Sequence, residues 1–543
     1  MFRKAVASVS ASESYFLLFS WILLLGSLVA GSAYFLYAMR MEFVGISRDA
    51  ESEIRQKLYT KFQKQSSAFF DRHKIGGLMS RLTNDLNAVR DVMGPGIMYP
   101  TYFVSLVIPA FSALFYINKP MALLAFLPII ILPCLMLILR RTTFHHSVKV
   151  QEMLSEMSTF AQVHYSGIRV VKGYGEEKAL EKTFKKICQR YFYTNFRLEM
   201  IKGLFYPLLT MITRGTTISL VLLMGISTYR GWALMATSDF VSFMWIQSYV
   251  LLPVLMLGWV LPIYIHGSAA YRRLVSVYYE EVEVKDPSSG IQSIPVHAPI
   301  QFTSLTFSYP NISQHVLKEI NLQIPSGQFI GITGPVGAGK STLLKLLCRD
   351  YFVKAGMINI GEHDISDYTL EGIRNHFVYL EQHPFLFSTT IRENLLFGNP
   401  QATYDQLCNA AEQADFLKTI LSFPQGFDTM IGERGVTLSG GQKQRLALAR
   451  AFLAERPVIL LDDVFSAVDA ETEMHIFDSI QKMYRGKTVV IITHRASILE
   501  QMDRIIYMMQ GEIVEDGHPE ELKRMGEHYA ALIELQQLEG AGS

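Results

Sequence analysis

The sequence predicts an α-helical transmembrane bundle followed by an α/β phosphate-loop nucleotide-binding domain, and three observations carry that reading. Half of the 543 residues are hydrophobic and 18% are charged, where roughly 25% charged is usual for soluble domains. The apolar residues crowd the first half in runs of membrane-spanning length. The second half carries GPVGAGKST, Gly334–Thr342, directly after the apolar run FIGIT. A mean hydropathy of +0.20 with a net charge of +1 excludes intrinsic disorder and leaves no global basic field for nucleic acid. Cys134, Cys188, Cys348 and Cys408 are widely spaced with no CxxC pair, so neither a disulfide scaffold nor a Cys-based zinc site is indicated.

In chain order, five runs are candidates for spans: Tyr15–Met39, Ile97–Ile117, Met121–Leu139, Leu204–Tyr229 and Phe240–Ile265. A helix of about 20 apolar residues crosses about 30 Å of hydrocarbon. Pro109, Pro128, Pro133, Pro253 and Pro262 fall inside them, which a membrane bundle tolerates because neighbouring helices satisfy the freed carbonyls. Asn118, Lys119 and Pro120 alone separate the second and third runs, a tight hairpin. The long connections Arg40–Pro95 and Arg140–Gly203 are rich in Lys and Arg, whereas Arg230–Asp239 is short and nearly uncharged. Basic loops stay cytoplasmic, which puts the amino terminus outside and the carboxyl terminus inside, with Arg3 and Lys4 on the wrong side. A cleaved signal peptide is the competing reading of the start, but the apolar stretch is too long for a typical signal core. Arg214 lies within the fourth run, where an ionisable side chain is expensive. It is a candidate for lining a substrate cavity or pairing with an acid on a partner, the alternative being a place where the helix leaves the membrane. His145 and His146 are adjacent without a third ligand and read as surface residues.

The composition changes at Asp286–Pro299, a Pro- and Ser-rich linker. This divides the chain into a membrane domain at 1–285, the linker at 286–299, a nucleotide-binding domain at 300–530 and a tail at 531–543. Beyond the linker, strand-like segments (Gln301–Tyr309, Phe329–Thr333, Val458–Asp462, Thr488–Thr493) alternate with helical ones, which predicts a largely parallel sheet. Gly334, Gly337 and Gly339 let backbone amides close around phosphate oxygens at the start of a helix that begins with Lys340. Lys340 is expected on the β- and γ-phosphates of ATP, Ser341 on Mg²⁺, and Thr342 beside it. VILLDD, Val458–Asp463, is an apolar strand ending in two carboxylates. Asp462 is expected to hold Mg²⁺ and Asp463 to orient or deprotonate the attacking water.

Between these anchors lies LSGGQKQR, Leu438–Arg445. With it the chain resembles the ATP-binding cassette (ABC) transporter superfamily, of which this signature is close to diagnostic. The resemblance implies that Ser439, Gly440, Gly441 and Gln442 receive the γ-phosphate of ATP held by a partner subunit. It further implies that Tyr309 stacks on adenine, that Gln382 senses Mg²⁺ and the membrane domain, that Asp469 in SAVDA is the acid of the D-loop, and that His494 contacts γ-phosphate. Gly432–Gly435 (GERG) resembles the exporter-type loop that contacts coupling helices. In the membrane half, Phe69–Val89 and Ser166–Glu177 look like the two intracellular loops that carry such coupling helices.

One position departs from the family pattern: the carboxylate after the metal-binding Asp is usually Glu, and here it is Asp463. Losing one methylene draws the group back on the order of 1 Å, which can cost about 100-fold in rate. The chain resembles the subunit of heterodimeric bacterial multidrug exporters that has a degenerate site on its own phosphate loop and lends an intact LSGGQ to its partner. A homodimer with slow hydrolysis is the alternative. The resemblance implies a multi-pass plasma-membrane protein with a cytoplasmic nucleotide domain. It would export small hydrophobic or amphipathic molecules among membrane lipids, with ATP and Mg²⁺ and without nucleic acid. Two other readings stay open: a nucleotide-binding regulatory or channel-like subunit that does not pump, and an exporter of an endogenous lipid, peptide or thiol. Family half-transporters usually have six spans, and Tyr15–Met39 runs into the sequence that normally follows the second, so the chain reads as lacking the first.

Overall fold

The computed structural model describes residues 15–541 except 233–234, 311, 313, 433–437 and 467–468. Arg3 and Lys4 therefore lie outside the described residues, as do Glu433, Arg434 and Gly435 of GERG and the middle of SAVDA. The chain separates into two compact units that do not follow chain order: one comprises 1–59 and 79–279, the other 60–78 and 280–543.

The first unit is built of long helices, and all five apolar runs fall in them. α1 (Tyr15–Gln63) carries the first run well past its end. In the chain α2 (Ser67–Arg72), which belongs to the other unit, and α3 (Ile75–Ser80) follow, and α3 continues through a π-helical turn at Arg81–Asp85 into α4 (Leu86–Met93). The second and third runs lie in α5 (Pro95–Ile117) and α6 (Lys119–Ser166). The hairpin between them is tighter than expected: only Asn118 intervenes. Its side chain caps α6 by accepting from Met121 N, and Pro120 sits in the first turn, where its missing N–H costs nothing. After α7 (Ile168–Tyr174) and α8 (Glu177–Gly203), α9 (Phe205–Tyr229) and α10 (Thr237–Tyr278) hold the remaining runs. Among the described residues, Phe19–Gln63, Ile75–Ile117 and Thr210–Tyr229 are helical stretches long and apolar enough to cross a membrane. Leu114, Met121, Phe126, Leu220 and Phe243 interlock as a buried cluster of α5, α6, α9 and α10. Away from it, ion pairs do the joining: buried Glu51 of α1 accepts from Arg90 of α4 at 3.3 Å, and Asp85 takes a bidentate pair from Arg273 of α10 at 2.6 and 3.0 Å.

The second unit contains two sheets. β1 (Ile300–Phe307), β2 (Leu317–Ile324), β4 (Ile358–Ile360) and β5 (His363–Asp364) form an antiparallel sheet in the order β2-β1-β4-β5. β3 (Phe329–Thr333), β6 (Phe377–Leu380), β7 (Val458–Asp462), β8 (Thr488–Ile492), β9 (Arg504–Met509) and β10 (Glu512–Gly517) form the other, in the order β10-β9-β3-β8-β7-β6. It is parallel throughout except for the edge strand β10. The largely parallel expectation holds for this sheet alone. The antiparallel one escaped notice because two of its strands are only three and two residues long. β7 and β8 are buried at every position, as strands covered on both faces must be. The segment expected as a tail from 531 is instead the helix His528–Ala541, which sinks Tyr529 and Ile533 into the core. Four residues apart, the two share one helical face.

Candidate functional site

Four parallel strands of the six-stranded sheet end at one place. β3 runs into the loop 334–339, β7 delivers Asp462 and Asp463, β8 leads to His494, and Gln382 follows β6. Carboxyl ends of strands in open α/β sheets are where ligand crevices form. Here they border a cavity of about 390 Å³ whose lining includes Tyr309, Lys340, Ser341, Gln382, Asp463 and His494.

The loop owes its shape to glycine. Gly334 has φ 131°, and a Cβ there would stand 2.0 Å from the Met508 carbonyl oxygen. Gly339, at φ 95°, is the N-cap of the helix Lys340–Leu347, and a Cβ would stand 2.7 Å from the Leu317 side chain. No side chain caps that helix, so its first amides face the cavity mouth without a local acceptor. Lys340 is buried, and its Nζ donates to the carbonyls of Gly334 at 2.6 Å and Pro335 at 2.9 Å. Burial lowers the pKa of this ammonium, while Asp462 and Asp463 pull it back up.

The two carboxylates have different surroundings. Asp462 is buried; its Oδ1 accepts from Ser341 Oγ at 3.0 Å and its Oδ2 from the Tyr379 hydroxyl at 3.0 Å. Asp463 is half-exposed and left-handed, at φ 48°, a region Asp tolerates better than most residues. Its amide donates to Ile492 O at 2.9 Å, and its Oδ2 accepts from Gln382 Nε2 at 3.0 Å. Burial pushes the Asp463 carboxyl above the ordinary range, opposed by His494 and by the Gln382 bond. Burial and the charge of Lys340 hold His494 below the usual imidazole value, with Asp463 acting the other way. The Tyr309 ring packs edge-on against Phe307 and Tyr351, and its hydroxyl lies 3.0 Å from Thr342 Oγ1.

The structure thus brings together Tyr309, Gly337, Gly339, Lys340, Ser341, Thr342, Gln382, Asp462, Asp463 and His494, with Gly334 beneath Lys340. Ser439, Gly440, Gly441, Gln442 and Asp469 are not among the residues lining the cavity. Ser439 and Gln442 close a capping box on the helix Gly440–Leu453: Ser439 Oγ accepts from Gln442 N at 3.2 Å, and Gln442 Oε1 from Ser439 N at 2.9 Å. Asp469 caps Ala470–Met483 by accepting from Thr472 N at 3.0 Å, which lowers its pKa. Arg214 is exposed on α9. Among the described residues no cluster of three metal-ligating side chains stands out, His145 and His146 included. Two contributors were not singled out from the sequence. Tyr379 reaches Asp462 across 83 residues, and Gln444 spans from the signature helix to Ser466 Oγ (3.3 Å) and the Gln382 carbonyl (3.5 Å). Tyr379 belongs to no local pattern; Gln444 lies within LSGGQKQR, but its residue type alone does not show that it reaches Ser466 and Gln382. Taken together, glycine-shaped amides, a buried ammonium and a hydroxyl–carboxylate pair make a cradle for a polyphosphate. Oxygen donors at its floor suit a hard divalent cation.

Comparison with known proteins agrees with this chemistry. Residues 2–275 match the ABC transporter transmembrane region and residues 317–466 the ABC transporter domain. The multidrug resistance-like ATP-binding protein MdlA of Escherichia coli (strain K12) is 32% identical over 522 residues, 95% of this chain and 87% of that protein. An ATP-dependent lipid A-core flippase of Syntrophus aciditrophicus (strain SB) is 29% identical over 505 residues, 92% of this chain and 83% of its own length. In three dimensions the chain is similar to a bacterial Atm1-family ABC exporter solved with ATP bound, with a TM-score of 0.82 at 23% identity, over 98% of this chain and 94% of the other.

Proposed function

The chain belongs to the ABC transporter family, with the membrane region and the ATP-binding domain fused, and from that premise we propose that it is the degenerate-site half of a heterodimeric exporter of hydrophobic or amphipathic molecules. Export driven by ATP hydrolysis and a multi-pass membrane location are properties of the family; the heterodimer and the residue roles are our reading. The observation that carries it is Asp463. Its short carboxylate is held by Gln382 at 3.0 Å in the position where the family usually has Glu.

In this reading Lys340 exchanges the Gly334 and Pro335 carbonyls for β- and γ-phosphate oxygens, trading neutral contacts for charge-assisted ones. Ser341 and Asp462 would hold Mg²⁺, which would supply charge neutralisation to the phosphates; Tyr379 fixes the second oxygen of Asp462. Gln382 senses occupancy, Tyr309 stacks against the base, and His494, kept neutral by its low pKa, donates to the γ-phosphate. Asp463 is the candidate base. Because burial raises its pKa, the base form is lost at a higher pH than for an exposed aspartate, so hydrolysis at this site falls early on acidification. Ser439 through Gln442, which do not line this cavity, serve the partner's nucleotide, and Asp469 is the acid of the D-loop.

The test is the ATPase rate of the purified chain alone. We expect well under one turnover per second, raised at least tenfold by Asp463→Glu. Turnover near 1 s⁻¹ or above that Asp463→Glu does not raise would overturn the degenerate site. A second reading, movement of an endogenous lipid, is favoured by the flippase relatives. Stimulation of ATPase by a labelled lipid but not by hydrophobic dyes selects it.

A further inference from the structure

The backbone around His494 makes few hydrogen bonds of its own, although the Arg495 side chain reaches Phe465 O at 3.5 Å and Glu473 at 3.5 Å. Thr493 N donates to Ile332 O of β3 at 3.2 Å, and Arg495 N to its neighbour Thr493 Oγ1 at 3.1 Å. The four-residue helix that follows, Ala496–Leu499, begins at Arg495 with no local side chain capping it. Gln536, in the last helix, supplies what is missing on both sides. Its amide NH₂ donates to the His494 carbonyl, and its Oε1 accepts from Ala496 N at 2.8 Å. One planar amide therefore brackets Arg495 and binds the peptide groups on either side, 42 and 40 residues away in sequence.

The helix that carries Gln536 is itself fixed. Buried Glu515 of β10 accepts from His528 N at 2.6 Å and Tyr529 N at 3.0 Å, capping its amino terminus. Tyr529 and Ile533 share a core cluster with Ile498 and Leu499 of the short helix. A side chain delivered from so rigid a mount restricts the backbone it grips.

We infer that Gln536 is a positioning residue for His494, and that through it the C-terminal helix sets where the imidazole stands over the phosphate cradle. This rests on the reading of His494 as the γ-phosphate contact. A residue that merely capped a helix would change stability alone; a positioning residue changes the discrimination of ATP from ADP, because only ATP has the group His494 faces.

The experiment uses the purified full-length transporter and measures photolabelling of this chain by Mg²⁺–8-azido-ATP and Mg²⁺–8-azido-ADP, which reports its own site even beside a partner. Gln536→Ala is expected to lower the ATP-over-ADP preference about fivefold, the scale of one net hydrogen bond, with ADP labelling unchanged. Gln536→Glu still accepts from Ala496 N but cannot donate to the His494 carbonyl; it is expected to lose at least as much preference, with the Ala496 cap kept. His494→Ala loses the preference by itself, and Gln536→Ala adds nothing on that background. Unchanged preference in both Gln536 variants while His494→Ala loses it overturns the inference, as do effects that multiply in the double variant. Unchanged preference in His494→Ala overturns the reading of the histidine and the inference with it.

Discussion

Asp350 shows how one half-buried carboxyl sets a pH dependence. Burial first, then the charge of Glu381, raise its pKa from 3.8 to about 6, against the pull of Lys345 and Arg374. The folded state therefore prefers the protonated acid. That preference favours folding fully below about pH 4 and is lost as pH rises through about 6, leaving a cost of at most about 3 kcal/mol at neutral pH. Asp350→Asn should raise the melting temperature of the nucleotide-binding unit by several degrees at pH 7.5 and by little at pH 4; thermal melts at the two pH values check this. Nothing in the sequence marks Asp350, whereas Lys340, Asp462 and His494 were legible because each follows or ends an apolar strand in a motif of fixed order. Tyr379, Gln444 and Gln536 were not, since each acts on a partner that only the fold brings near.

At the scale of elements, legibility followed length and continuity. FIGIT, VILLD and the helix from Lys340 are where the sequence puts them, because buried runs bounded by glycine or carboxylates leave little choice. The two- and three-residue strands of the antiparallel sheet carry no periodicity to read. The signature is a helix start by its residue types, and its capping box allows a separation of roles. Ser439→Ala should cost about 1 kcal/mol of stability. Ser439→Asp keeps the cap, since Asp caps as well as Ser, yet faces an incoming phosphate with a negative charge. We expect normal melting with ATP-driven turnover of the assembled transporter lost; turnover within twofold of wild type would show that Ser439 only caps.

For the molecule as a whole, the segment 60–78 is a covalent loop of the membrane half that folds with the nucleotide-binding unit. Ser67 N donates to Asp350 O at 3.1 Å, Tyr351 OH to Asp71 at 2.6 Å, Arg72 binds Glu283 at 2.6 Å and Glu280 at 3.2 Å, and His73 meets Glu280 at 2.8 Å. Ala68 joins the core around β1–β3, and Phe69 is wholly buried. Phe69→Ala removes the most deeply buried of the segment's three phenylalanines, at about 3–5 kcal/mol. Expected is retained nucleotide labelling with substrate-stimulated ATPase abolished; stimulation that survives would show the anchor to be dispensable.

The same interleaving has a consequence for biosynthesis. Asp71 and Arg72 leave the ribosome long before Glu280, Glu283 and Tyr351 exist. At about 5–20 residues per second, the wait is on the order of tens of seconds. Through that interval Phe69 has only its local ring neighbours Phe62, Phe70 and His73 and none of the shelter that the second half supplies. Slowing translation beyond residue 280 is therefore expected to lengthen that exposure and lower the yield of assembled protein.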